Sequence, residues 1–446
     1  MKKKISTVPH GTIIMLGFLM IIMIATCLLM TPFVSRDGNM TPFIDALFTA
    51  TSATCVTGLV IADTYQKWNL LGQLIILSLI QIGGLGFITI GVYVAVLFKK
   101  KIGLKEREVI HESVNTIEVA GVVRLTKSII RGTFIIEGVG ALLLSIRFIP
   151  DKGLVKGIYY GIFHAISAFC NAGFDLMGDV EAYTSLTPYK GDVIVNVTII
   201  LLITIGGIGF IVWDDLMRNR FQVKKYLLHT KIVLTATVVF LIVGSVLFFL
   251  LENNNLMKDM TIVEKILTSV FSAVTPRTAG FNTIDTGALS NGSKLLTMLY
   301  MFVGGNSGST AGGIKTTTFV VIIFFALSMA RRTQGTNLFG RRLEEETIKK
   351  ANAVIMINIG LTLLASMVIF AVQDFTFEQV LFETFSAIGT VGMSTGVTRE
   401  LEPISKFMII MLMYCGRIGS LSFAVAFAKR KIIPPIQLPV EKIVIG

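Results

Sequence analysis

The groups in this chain best suited to chemistry are backbone carbonyls held by glycine, not acids, bases or nucleophiles. A short pattern ending in glycine occurs four times: Phe48 to Gly58, Phe163 to Gly173, Phe271 to Gly280 and Phe382 to Gly392. The four glycines lie 115, 107 and 112 residues apart. One such glycine would read as a tight turn, but four at near-equal spacing mark an internal repeat. The segments leading to them are Thr54, Cys55, Val56, Thr57 and Gly58; Phe169, Cys170, Asn171, Ala172 and Gly173; Arg277, Thr278, Ala279 and Gly280; and Gly389, Thr390, Val391 and Gly392. None carries a carboxylate. Glycine permits the backbone angles that turn carbonyls toward a common axis, and it leaves that axis clear. A ring of carbonyls can replace the water shell of a dehydrated cation. A carboxylate ring would suit divalent ions, whereas a carbonyl ring suits a weakly hydrated monovalent ion, potassium best. These residues form the candidate selectivity filter, with a potassium ion at their carbonyls.

A second polar constellation sits in an apolar stretch of the third repeat. It comprises Gly304, Gly305, Asn306, Ser307, Gly308, Ser309, Thr310, Ala311, Gly312 and Gly313, with Lys315 just after. So many glycines should break a helix there. The freed backbone then needs water or polar neighbours, so 304–315 is expected as an intramembrane gate loop below the filter. Close packing of two helices is the alternative use of such small residues. Phosphate binding is not: the lysine falls one residue too late for GxxxxGK[ST], and no strand precedes. Arg417 lies inside the last apolar span, where a charge is a functional candidate by default. It is expected to face the loop, bond its carbonyls and repel cations, with Lys315 as a further gate residue. Glu137 is expected to pair with a neighbouring cation, Arg277 to tie to an outer carboxylate, and His164 to be a packed, hydrogen-bonded residue.

These groups need elements to position them. Each glycine segment follows a short apolar run, at about 43–54, 157–169, 263–275 and 377–388. Runs of this length are too short to cross a bilayer and suit re-entrant helices. Thr261 to Glu264 and Thr376 to Gln379 fit capping boxes, and Thr41-Pro42 fits a cap with proline at the first helical position. Such helices would aim their negative C-terminal ends at the axis, favouring a cation. Full-length spans flank each unit: 12–34, 126–149, 229–251 and 351–373 before it, and 70–98, 193–213, 294–330 and 405–428 after it. The later spans share a motif, seen as Ile82-Gly-Gly-Leu-Gly, Ile205-Gly-Gly-Ile-Gly, Val303-Gly-Gly and Cys415-Gly-Arg-Ile-Gly. The expected fold is an all-α membrane protein of four M1–pore helix–M2 repeats, eight transmembrane helices around one central pore. The repeats divide as 1–104, 105–220, 221–340 (with the gate loop) and 341–446, the last ending in a cytoplasmic tail.

Composition agrees. Of 446 residues, 53% are hydrophobic and 15% charged, against roughly 25% charged in soluble domains. The formal net charge of +12 is confined to clusters bordering apolar spans, such as Lys2–Lys4, Lys99–Lys101, Arg331–Arg332 and Lys429–Lys431. That is the positive-inside pattern, with both termini cytoplasmic, and not a nucleic-acid surface. Cys27, Cys55, Cys170 and Cys415 lie in apolar surroundings and read as buried free thiols. An intramembrane enzyme fits poorly: there are four histidines, and His111-Glu112 lacks the second histidine of HExxH. The run from Thr12 to Phe33 reads as a retained span rather than a signal peptide.

Thr275 to Phe281 and Ser167 to Phe174 resemble the motifs of the Trk/Ktr/HKT superfamily of cation transporters, and the resemblance runs over essentially the whole chain. The chain looks most like the membrane subunit of bacterial Ktr potassium uptake systems. The resemblance implies that Gly58, Gly173, Gly280 and Gly392 are the filter glycines and that the loop in the third repeat obstructs conduction. It also implies a bacterial plasma-membrane location, a homodimer and a cytosolic ring of nucleotide-binding regulatory subunits. It leaves sodium open as an activator and implies no organic cofactor. A sodium- or ammonium-conducting relative of the same fold remains the alternative. Gly335 to Gly340 and the tail from Pro434 offer docking surfaces.

Overall fold

The structure is a computed structural model that describes residues 10–97, 122–220, 222–333, 335–419, 439 and 441. The terminal tail from Pro434, His111 and the basic clusters at Lys2–Lys4, Lys99–Lys101 and Lys429–Lys431 fall outside these, apart from the isolated positions 439 and 441.

The described chain is almost entirely helical, because its long apolar runs can satisfy their backbone groups in lipid only internally. The first unit comprises α1 (His10–Leu29), α2 (Phe43–Thr54), a single turn α3 (Thr64–Lys67), α4 (Leu70–Leu85) and α5 (Phe87–Leu97). The second comprises α6 (Val122–Lys152), α7 (Leu154–Phe169), α8 (Val193–Gly207) and α9 (Phe210–Asn219). The third comprises α10 (Leu228–Glu252), α11 (Ile262–Val274), α12 (Asn291–Phe302) and α13 (Thr316–Ala330). The fourth comprises α14 (Glu345–Val372), α15 (Phe377–Gly389) and α16 (Pro403–Ile418). Helices α1, α6, α10 and α14 are long and apolar enough to cross a membrane. Their exposed Leu, Ile, Val, Met and Phe side chains are what an element facing lipid requires. The expected docking segment near Gly335 forms a two-residue hairpin, β1 (Asn337–Leu338) against β2 (Arg341–Arg342).

The four short helices α2, α7, α11 and α15 are the buried core elements. Thr261 and Thr376 form the two capping boxes with Glu264 and Gln379. The expected cap at Thr41 does not form. The helix starts at Phe43 with Pro42 at the cap position, and the Thr41 hydroxyl has no partner. Around the molecule, the helix after each glycine segment packs on the short helix of the next unit: α4 on α7, α8 on α11, α12 on α15, and α16 back on α2. Lys294–Glu378 (2.7 Å) and Lys406–Asp45 (2.7 Å) reinforce the last two contacts. The arrangement therefore closes on itself.

Two sequence expectations need correction here. The stretches 70–98 and 193–213 are not continuous spans. They bend by 92° and 93° between α4 and α5 and between α8 and α9. The cause is the last glycine of the shared motif: Gly86 and Gly209 adopt φ of +81° and +98°, and Gly419 ends α16 at +97°. Left-handed φ costs an L-residue about 1–2 kcal/mol but glycine very little, so the helix breaks there. The first glycine of the motif has a different reason. A Cβ at Gly83, Gly206 or Gly416 would overlap the carbonyl of Thr54, Phe169 or Ile388 at the base of the same unit's short helix. The second correction is Cys27, which is exposed, while Cys55, Cys170 and Cys415 are buried.

Candidate functional site

The four glycine segments meet. A Cβ at Gly58 would strike Ala172 O, one at Gly173 would strike Ala279 O, one at Gly280 would strike Val391 O, and one at Gly392 would strike Thr57 O. Each glycine thus abuts the carbonyl just before the next glycine, and the fourth contact returns to the first segment. The glycines have φ of +91°, +68°, +82° and +92°. Two residues earlier, Val56, Asn171, Thr278 and Thr390 also have positive φ, at 56°, 59°, 72° and 50°. Positive φ is uncommon for β-branched residues, so its recurrence at one offset in all four segments is a constraint of the site. Alternating backbone handedness turns successive carbonyls to the same side of the chain.

Hydroxyls hold this backbone in place. Ser52 Oγ accepts from Gly58 N and Ser386 Oγ from Gly392 N, each at 3.1 Å. Ser167 Oγ donates to Phe174 O and Thr275 Oγ1 to Phe281 O, each at 2.6 Å. Asn171 and Thr278 are hydrogen-bonded at 3.1 Å, linking the second segment to the third. His164 is buried, bonded to Tyr160 O at 2.8 Å and to Leu176 N at 3.4 Å, as a packed residue should be. At the same offset before its glycine, Glu383 accepts from Ser394, from Thr395 N (3.2 Å) and from Thr398 (2.6 Å). Sequence reading assigned no role to Glu383 or to these hydroxyls. The recurrence of Ser52, Ser167 and Ser386 six residues before their glycines was the available signal.

One end of the ring opens into a cavity lined by all four glycines and by Asp63, Asp175, Tyr183, Asn282, Ser394 and Arg399. Asp63 is committed to three backbone N–H groups, those of Tyr65, Gln66 and Tyr183. Asp175 accepts from Met177 N at 3.0 Å. Burial raises the Asp175 carboxyl to about 7, with the Asp63 charge adding to the effect. Arg399 lies 3.7 Å over the Tyr183 ring.

The other end meets residues 304–315. They form no helix. Thr310 Oγ1 donates to Phe169 O (3.1 Å) and Thr310 N to Gly206 O (3.3 Å). Asn306 donates from both N and Nδ2 to Gly207 O at 3.0 Å, and Gly313 N donates to Gly416 O at 3.1 Å. A Cβ at Gly312 would overlap the Thr390 side chain, and one at Gly313 would press on Gly389. The loop therefore lies against the deep ends of the second and fourth segments. Arg417 donates to Thr310 O with one nitrogen and to Gly83 O and Gly84 O (3.1 Å to the latter) with the other. It spans from the loop to the broken end of α4. Lys315 folds back on the loop, its Nζ donating to Ala311 O (2.7 Å) and Gly312 O (3.3 Å).

Two expected pairings are absent among the described residues. Glu137 has no cation. It accepts from Gln81 Nε2 at 3.3 Å and faces the Cys170 thiol at 3.9 Å, so neutral donors serve it. Arg277 reaches no outer carboxylate. Its Nη2 donates to Thr316 Oγ1 at 3.2 Å, because its side chain runs toward α13 rather than outward.

A backbone-lined ring inside a shell of apolar helices defines a membrane transport protein rather than an enzyme. The chain belongs to the TrkH cation transport protein family, whose sequence model matches residues 8–434. It is 40% identical to the potassium/sodium uptake protein NtpJ of Enterococcus hirae, over 100% of this chain and 98% of that protein. It is 43% identical to the Ktr system potassium uptake protein B of Bacillus subtilis, over 94% of this chain and 92% of that protein. The crystal structure of the potassium transporter TrkH from Vibrio parahaemolyticus has the same fold, with a TM-score of 0.77 at 15% identity, covering 96% of this chain and 86% of that one.

Proposed function

We propose that this chain is the ion-conducting subunit of a potassium uptake system, built as four M1–pore helix–M2 repeats with eight transmembrane helices. The carrying observation is the closed ring of four left-handed glycines, each abutting the next segment's carbonyl. Four such segments would offer carbonyls in place of water to a monovalent cation. The names of the relatives in Enterococcus hirae and Bacillus subtilis, both potassium uptake proteins, support potassium as that ion. The quarters 1–104, 105–220, 221–340 and 341–446 are the repeats, and 304–315 with Arg417 is the gate. A cationic side chain bonded to the loop would resist a passing cation until both move.

No separate energy source is needed for moderate uptake. A membrane potential gives about 2.3 kcal/mol per charge per 100 mV. At about 1.4 kcal/mol per tenfold, that is roughly 40-fold accumulation. The relative's designation as part of a Ktr system supports a regulatory partner, read here as a cytosolic nucleotide-binding ring serving a homodimer in a bacterial plasma membrane, with both termini cytoplasmic. The name potassium/sodium uptake protein on a relative favours a second reading, in which sodium is also carried or activates.

The test is rubidium-86 uptake into proteoliposomes under an inside-negative potential, with potassium, sodium or ammonium as competitor. Block by potassium but little by sodium is the expected result. Equal block by sodium would favour the second reading. Absence of uptake from folded wild-type protein and from a 305–313 deletion alike would overturn both.

A further inference from the structure

Arg277 is a charged side chain in a candidate filter segment, yet it points away from the ring and meets no acid among the described residues. Its guanidinium lies 5.6 Å over the Phe240 ring and donates from Nη2 to Thr316 Oγ1 at 3.2 Å. A cation at membrane depth is costly and is retained where it serves a function. Thr316 is the first residue of α13, immediately after the intramembrane loop. Its hydroxyl donates to Gly304 O at 2.8 Å and its N–H to Gly305 O at 3.0 Å, closing the loop across its neck. A continuous path therefore runs from the third glycine segment, through guanidinium and hydroxyl, to the two ends of the loop.

A small cavity lies beside it. Arg277 Nε and Asn306 Oδ1 are buried without a protein partner. Asn306 is 0% exposed. Both residues line one small cavity with Thr204, Gly207 and Thr237. A water held there would accept from the guanidinium and donate to the amide oxygen, satisfying both groups as buried waters do.

We propose that Arg277 is a positioning residue: it holds the intramembrane loop in register with the third glycine segment, directly through Thr316 and through a water shared with Asn306. The inference rests on the reading of 304–315 as the obstruction in a cation path. Rubidium uptake into proteoliposomes is compared for the wild type, Arg277→Met, Thr316→Val, the 305–313 deletion, and Arg277→Met combined with that deletion. Arg277→Met should raise uptake roughly tenfold, the factor for losing one hydrogen bond to a charged group, with the preference for potassium over sodium kept. Thr316→Val, which spares the charge, should act in the same direction but less. In the deletion background the increment from Arg277→Met should vanish, because no loop is left to hold. Wild-type uptake from both folded single variants would overturn the proposal, and so would an undiminished increment in the deletion background, which would put the action in the filter. Absence of uptake from the deletion alone would instead overturn the parent reading and this inference with it.

Discussion

The glycine ring and the loop 304–315 are both irregular backbone inside the helical bundle, but they are held in different ways. Each ring segment comes from its own helical unit and is fastened mostly by that unit's hydroxyls, as Gly58 is by Ser52 and Gly392 by Ser386. The same two left-handed positions recur four times. The loop has no counterpart in the other units among the described residues, and much of what holds it belongs to them: Phe169, Gly206 and Gly207 of the second, Gly416 and Arg417 of the fourth. Arg417 extends the chain of contacts to Gly83 and Gly84 of the first. A ring over-determined in this manner resists deformation. A loop hung on hydrogen bonds can exchange them for water, each at a net cost of about 1 kcal/mol. The contrast suits the proposed division into a fixed filter and a movable gate.

The largest effect should come from a ring glycine. Gly392→Ala combines a left-handed φ with a Cβ that overlaps Thr57 O. Strain of about 1–2 kcal/mol from φ alone adds to that clash, so rubidium uptake should be lost. Gly153→Ala is the control, with φ +81° but nothing near its would-be Cβ; it should cost stability and spare uptake. If the two variants behaved alike, the ring would be no more constrained than an ordinary turn. Gly58→Ser should act less drastically, weakening the preference for potassium over sodium in competition assays.

Deleting 305–313 should act with the opposite sign, raising uptake while leaving ion preference intact. Arg417→Gln should move part of the way, since it gives up the charge and the bridge between Thr310 and Gly83. Loss of uptake in either variant, in a folded sample, would make the loop part of the filter's support and erase the distinction drawn above.

What the sequence revealed follows the same division. The four short helices were legible to within one residue, apart from the start of α7 three residues earlier than expected, because an apolar run followed by a glycine at fixed register is a repeated signal. Gly86 and Gly209 were visible as a motif, but hydropathy sums do not register a 90° turn inside an apolar run. A lone charge gives no direction: Arg277 was expected to face outward and faces α13, and Glu137 was expected beside a cation and lies beside Gln81. Both depend on packing between repeats distant in sequence. Asp175 was not legible as part of the site, because its nearness to all four glycines exists only once the ring closes.

Asp175 supplies the smallest and most specific effect. It lines the open mouth of the ring with Asp63, Tyr183 and Arg399, and burial raises its carboxyl to about 7. The sign follows from linkage: a carboxyl raised in the folded protein keeps its proton well above the ordinary range and gives it up as pH climbs through about 7. Stability associated with that proton is full below the ordinary carboxylate range, falls as pH rises from there to about 7, and levels off above it. The charge that appears stands over the mouth of a cation path, beside Gly173. Rubidium KM should therefore fall a few-fold as external pH rises through about 7, with the maximal rate little changed. Asp175→Asn should flatten the profile at the high-KM level, whereas a 305–313 deletion should keep the profile and raise only the rate. A profile unchanged by Asp175→Asn would assign the titration to another group at the mouth. Loss of the profile on loop deletion would mean that mouth and loop are coupled through the ring, and that the ring is less rigid than its four-fold torsions imply.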